Sequence, residues 1–72
     1  ATLLLEQGRV YQQAGRADSA LVYYRKTLRV QPQSAAAYAY SGEIFLRQRR
    51  VFDALLAYER VKRLDPNWPG LA

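Results

Sequence analysis

Few side chains in this sequence are of a type that does chemistry. Its six carboxylates are Glu6, Asp18, Glu43, Asp53, Glu59 and Asp65. No two have the spacing of a paired acid–base site or a metal site. Asp18, Asp53 and Asp65 stand near expected helix ends, where capping accounts for them, and Asp18 and Asp53, at helix starts, also favour the dipole. Glu43 and Arg47 are four apart, as are Glu59 and Arg63, in the acid-first order that suits a pair along one helix face. Ser19, Ser34 and Ser41 have no base to activate them, because the chain contains no His and no Cys. The same lack excludes a thiol nucleophile, a Cys/His zinc site and a disulfide. Gly8, Gly15, Gly42 and Gly70 are scattered and make no phosphate-cradling loop. The residues therefore point away from catalysis and imply neither metal nor cofactor.

What remains is charge and aromatic surface. The net charge is +5, with basic clusters at Arg25, Lys26, Arg29; at Arg47, Arg49, Arg50; and at Arg60, Lys62, Arg63. Such a surface can attract phosphate or an acidic partner. Long basic side chains also commonly lie over apolar surface with their charge in water. Of the six Tyr residues, Tyr11, Tyr24, Tyr38 and Tyr58 fall on a repeating pattern. Tyr23 and Tyr40 are left over, and Tyr40 is either a ligand contact or inter-helix packing. With Glu43 near Tyr40, nucleic acid is disfavoured as a partner.

The elements that must position these groups follow from a repeat. Displacing the chain by 34 residues on itself pairs Gly8 with Gly42, Ala20 with Ala54, Leu21 with Leu55, Tyr24 with Tyr58 and Pro32 with Pro66. Arg16, Arg29 and Ala1 also find identical partners in Arg50, Arg63 and Ala35, giving eight identities. Unrelated segments of this composition would give roughly three. Within each unit the apolar and small residues step by three or four, the spacing of amphipathic helices. Gly15 can end a first helix in the left-handed conformation. Gln31-Pro32 and Asp65-Pro66 end others, and Ser34 is an N-cap candidate. Helices are expected at about 2–14, 18–31, 35–48 and 52–64, with 69–72 opening a further one.

The set resembles the tetratricopeptide repeat. That unit carries a large apolar residue at position 4, then small, aromatic, Ala, aromatic, small and Pro residues at 8, 11, 20, 24, 27 and 32. The first unit, 1–34, shows Leu4, Gly8, Tyr11, Ala20, Tyr24, Thr27 and Pro32. The second, 35–68, shows Tyr38, Gly42, Phe45, Ala54, Tyr58, Val61 and Pro66. There are departures. The usual Leu at position 7 is Gln7 and then Ser41, and the Gly at position 15 becomes Arg49, which puts the second hairpin turn in question.

The resemblance implies an all-α chain, an α-solenoid of two antiparallel helix-turn-helix hairpins in a right-handed superhelix. It also implies a scaffold segment that binds a partner protein or peptide on the concave face formed by the first helix of each unit. Carried over position by position, the contacts would include Leu5, Arg9, Gln12 and Gln13, then Ala39, Glu43, Leu46 and Arg47, with Tyr40 beside them. Arg9 and Arg47 would favour an acidic group on the partner. Small side chains at Gly8, Gly42, Ala20 and Ala54 would let paired helices approach.

Two hairpins alone leave stacking faces open, so a homo-oligomer through those faces is the alternative. The chain lacks an initiator Met and is expected to be a piece of a larger protein. No apolar run is long enough to span a membrane. Absence of Cys is compatible with cytoplasm and periplasm alike.

Overall fold

The computed structural model describes residues 2–68 (of Thr2, the backbone alone). It contains four helices, α1 (Thr2–Gln13), α2 (Ala17–Val30), α3 (Ala35–Arg47) and α4 (Val51–Leu64). No strand occurs among the described residues. Helices α1 and α2 pack as one hairpin and α3 and α4 as the next; α2 lies against α3, and α1 also touches α3. This is an all-α helical-repeat solenoid. The expected opening of a further helix at 69–72 lies outside the described residues.

Both hairpin turns close by the same hydrogen bonds. In the first, Gly15 N–H donates to Gln12 O (3.1 Å) and Arg16 N–H to Tyr11 O (2.8 Å). One repeat later, Arg49 N–H donates to Leu46 O (3.0 Å) and Arg50 N–H to Phe45 O (2.8 Å). This pair of bonds satisfies carbonyls that the helix end would otherwise leave bare. It requires one left-handed residue, and Gly15 supplies it with φ +80°. Arg49, at φ 60°, is forced into the same conformation. Loss of the glycine has thus neither widened the turn nor changed its bonding. It has placed a side-chain-bearing residue where its Cβ is crowded.

The tight turns also bring each second helix in one residue early, at Ala17 and Val51. Arg16 and Arg50 stand at the N-cap positions and neither makes a side-chain cap. Asp18 and Asp53 lie inside the first turns, facing the positive ends of the dipoles. Arg50 Nε additionally donates to Asp53 Oδ2 at 2.8 Å. Ser34 does cap α3, its Oγ accepting from Ala37 N–H at 3.3 Å. The loops after α2 and α4 each carry Pro at the second position of a turn. Ser34 N–H bonds to Gln31 O and Trp68 N–H to Asp65 O, at 3.1 and 3.0 Å.

The core is built on the small residues, though differently from simple helix-on-helix contact. Ala20, Tyr24, Ala37, Ile44 and Leu21 form the buried centre. A Cβ on Gly8 would stand only 2.5 Å from Tyr24 Cε1, and one on Gly42 3.0 Å from Tyr58 Cε2. Each glycine is therefore a seat for the tyrosine ring of the following helix. Ala20 and Ala54 are buried as well, so the close approach is shared between a missing and a minimal side chain.

The left-handed Arg49 generates a prediction. Arg49→Gly is expected to stabilise the chain by up to about 1 kcal/mol, because relief of the crowded Cβ outweighs the added freedom of the unfolded chain. Gly15→Ala is expected to destabilise it by a similar amount. Urea unfolding of the two variants beside the parent chain checks both signs.

Candidate functional site

The residues expected to line the inner face do not share one environment. Arg9, Gln12, Gln13, Glu43, Leu46 and Arg47 line one open groove of about 480 Å³ between α1 and α3, with Tyr58 at its edge. Leu5 is half-buried and packs on the core cluster. Tyr40 is half-buried too. Its ring lies 5.9 Å from that of Tyr24 and meets the Trp68 ring edge-on at 6.4 Å. Ala39 corrects the expectation outright, being only 2% exposed. Helix α3 has neighbours on three sides in α1, α2 and α4, and a methyl group on it lacks the reach to touch a partner.

Several groove residues are already engaged with one another. The Arg9 guanidinium lies 4.1 Å from the centre of the Tyr40 ring, close enough for a cation–π contact. Its Nη1 donates to Gln12 Oε1 at 3.3 Å and stands 3.7 Å from Glu43 Oε1. Gln12 Oε1 also accepts from the Tyr24 hydroxyl at 2.6 Å, while Gln12 Nε2 donates to Glu43 at 3.4 Å. Gln12 thus joins α1, α2 and α3. The expected pair of Glu43 with Arg47 along α3 is not among the ion pairs of the described residues; Glu43 turns across to Arg9 instead. The other expected pair forms, with Arg63 Nη2 3.0 Å from Glu59 Oε1. Being exposed, each such pair contributes at most about 1 kcal/mol.

Electrostatically the groove divides in two. Arg9 and Glu43 compensate each other over Tyr40. Arg47 is exposed and carries no ion pair among the described residues. Gln13 and Leu46 are exposed beside it, Leu46 strongly so for an apolar residue. Among the described residues, the α1/α3 groove therefore pairs a cation that has no ion pair, Arg47, with an exposed apolar neighbour, Leu46.

Tyr58, absent from the sequence expectation as a lining residue, reaches the groove because its ring lacks the aromatic cover that Tyr40 gives Tyr24. Its equivalence to Tyr24 gave it a core role, but among the described residues no further helix covers it as α3 covers Tyr24. Tyr11 and Tyr23, read separately from the sequence, are stacked at 5.3 Å with their planes 13° apart. Lys26 Nζ lies 5.0 Å from the Tyr23 ring centre. Phe45 is half-buried against the core, and Pro32 and Pro66 are exposed in their turns.

Two phenols have raised pKa values. Burial pushes Tyr24 up from 10.0 to about 12, against the opposing pull of Arg9. Tyr58 is raised by burial and, secondarily, by the Glu43 carboxylate. No helix among the described residues is long and apolar enough to cross a membrane. No group of three or more His, Cys, Asp or Glu side chains among them is placed to hold a metal ion.

With the repeated hairpins, ring seats and paired turns in view, the class is a helical repeat with a groove between its first helices. The family model for the Tetratricopeptide repeat matches residues 5–69. The chain belongs to the tetratricopeptide repeat family, whose members generally serve as non-catalytic protein–protein interaction modules. No individually curated protein matches the sequence.

The Tyr24 phenol carries a pH prediction. Between pH 10 and about 12 the unfolded chain loses this proton while the folded chain keeps it, so stability falls as pH rises through that window. The loss expected from Tyr24 is on the order of 2 kcal/mol. In Tyr24→Phe the folded chain starts less stable, since the bond to Gln12 is gone, but its stability falls less steeply over that window. Urea midpoints at intervals from pH 9 upward test the difference in slope.

Proposed function

We propose that this chain is a non-catalytic protein-binding segment that takes a partner polypeptide along the α1/α3 groove. The observation that carries the reading is the pairing of an uncompensated cation, Arg47, with the exposed Leu46 in an open groove. An apolar side chain on the partner covers Leu46, and a carboxylate on it meets Arg47. A few such anchors supply most of the affinity in an interface of this kind. Arg9 plays a different part from the one its spacing implies. It lies over Tyr40 and beside Glu43 in the wall of the groove, so its charge is partly met by the Glu43 carboxylate at 3.7 Å.

Selection of binders from a random peptide display library tests this. Selected peptides are expected to carry an acidic residue close to an apolar one, and to weaken about tenfold or more against Arg47→Glu. Peptides that bind equally well to Arg47→Glu and Leu46→Ser would remove the inner-face reading. Arg9 is unsuited to the test, because its substitution disturbs Tyr40 and Gln12.

A second reading, self-association through the stacking faces, is favoured by one contrast. Ala37 and Ile44 are 0% and 2% exposed against α2, while their equivalents one unit earlier, Leu3 and Val10, are 66% and 65% exposed. Likewise Leu21 is 8% exposed and its equivalent Leu55 59%. The α2–α3 contact is thus a template by which α4 of one copy would accept α1 of another, head to tail. Sedimentation over a concentration series is expected to show growing assemblies that Leu55→Glu returns to monomer. A concentration-independent monomer would exclude it.

A further inference from the structure

The outer side of the molecule carries a second groove that the basic residues of α2 and α4 frame. It has a volume of about 310 Å³ and lies between α2 and α4, with α3 beneath. That is the space of about ten water molecules, room for one or two large side chains and too little for a whole helix. Its floor is Leu21, Ser41 and Ala57, all buried; Leu28 and Phe45 are half-buried walls, and Leu56 is an exposed one. The Ser41 hydroxyl folds back on its own helix and donates to Ala37 O at 2.8 Å, so this small side chain takes up little of the groove it lines.

The rim is cationic. Arg25 and Arg60 line it from opposite helices, and neither has an ion pair among the described residues. The acid on the rim, Asp53, is held by Arg50 at 2.8 Å. An apolar slot between two uncompensated guanidiniums is complementary to an apolar side chain flanked by carboxylates. Guanidinium groups take carboxylates in paired hydrogen bonds, and desolvation of the slot by the apolar group strengthens those contacts.

We propose that this outer groove is a docking site for an acidic peptide segment bearing a large apolar anchor, separate from the α1/α3 face. The anchor fills the space above Ser41, and carboxylates on either side engage Arg25 and Arg60. The two surfaces lie on different faces of the solenoid, so the chain can hold two polypeptides at once.

The test follows backbone amide NMR signals of the whole chain during titration with a synthetic capped peptide, Asp-Leu-Phe-Glu. Saturable shifts are expected at Leu21, Ser41, Ala57 and Arg60. Replacing both acids of the peptide by Lys, or reversing charge in the double variant Arg25→Glu and Arg60→Glu, is expected to weaken binding by about tenfold or more. Ser41→Leu fills the slot and is expected to abolish the shifts, while its urea midpoint stays at or above that of the parent. Arg47→Glu is expected to leave these shifts unchanged, which separates this site from the inner groove. The proposal is overturned if the shifts fall on Gln13, Leu46 and Arg47, or if no saturable shifts occur. It also fails if binding survives in folded Ser41→Leu, or if a short oligonucleotide produces the same shifts at the same sites.

Discussion

The fold depends on a phenol ring held against a backbone that has no side chain. Tyr24 occupies the place of the Gly8 side chain, and a Cβ there would stand only 2.5 Å from the ring. That fixes how closely α1 and α2 approach. Overpacking a seat of this kind typically costs about 1–3 kcal/mol, against about 1 kcal/mol of helix propensity gained by replacing Gly with Ala. The hydroxyl at the far end of the ring is equally constrained. It is tied to Gln12, which is tied to Glu43 on α3, and Tyr40 closes over the ring. One side chain thus sets the spacing within a hairpin and the register of the next hairpin against it.

Repeating that arrangement makes the units alike inside and unlike at the ends. Tyr58 sits on Gly42 as Tyr24 sits on Gly8, yet its seat is looser by about half an ångström and its ring stays half-exposed. The difference lies in the neighbour: α3 supplies Tyr40 over Tyr24, and among the described residues no helix does so for Tyr58. In such a stack, stability is the sum of what each unit holds alone and what each contact between units adds. The uncovered apolar residues on α1 and α4 are the unmet half of that sum. They are as much part of the repeat geometry as the buried ones.

The positions of the helices were legible because small, aromatic and turn residues recur in phase, and each fixes backbone geometry locally. The starts of α2 and α4 fall one residue earlier than expected because the turn-closing residues Arg16 and Arg50 are themselves the N-cap positions. The glycine-to-arginine change at Arg49 was legible as an anomaly, but not its outcome; the rest of the turn was determined strongly enough to force the left-handed conformation. Face was readable and depth was not. Spacing placed Ala39, Arg9 and Arg47 on one side of their helices. Whether a residue there meets solvent depends on helices far away in sequence, and these bury Ala39, occupy Arg9 and leave Arg47 free. Spacing along α3 likewise favoured Arg47 as the partner of Glu43. The competing cation came from a helix 34 residues away, which no rule within one helix weighs.

The charge of the chain gains meaning from the same distinction. In the α1/α3 groove, the Arg9 guanidinium lies over the Tyr40 ring and 3.7 Å from Glu43. On the outer face, Arg50 cancels Asp53, and Arg63 engages Glu59. Arg16, Arg25, Lys26, Arg29, Arg47, Arg49, Arg60 and Lys62 carry no ion pair among the described residues, and three of these line grooves beside apolar side chains, Arg47 between α1 and α3 and Arg25 and Arg60 between α2 and α4. On the proposed reading, those three positions are where a carboxylate is taken up together with an apolar group. Selectivity of that kind rests on refusal as much as attraction: a cationic or fully polar segment would lose its water beside Leu46 or above Ser41 and find no opposite charge in return.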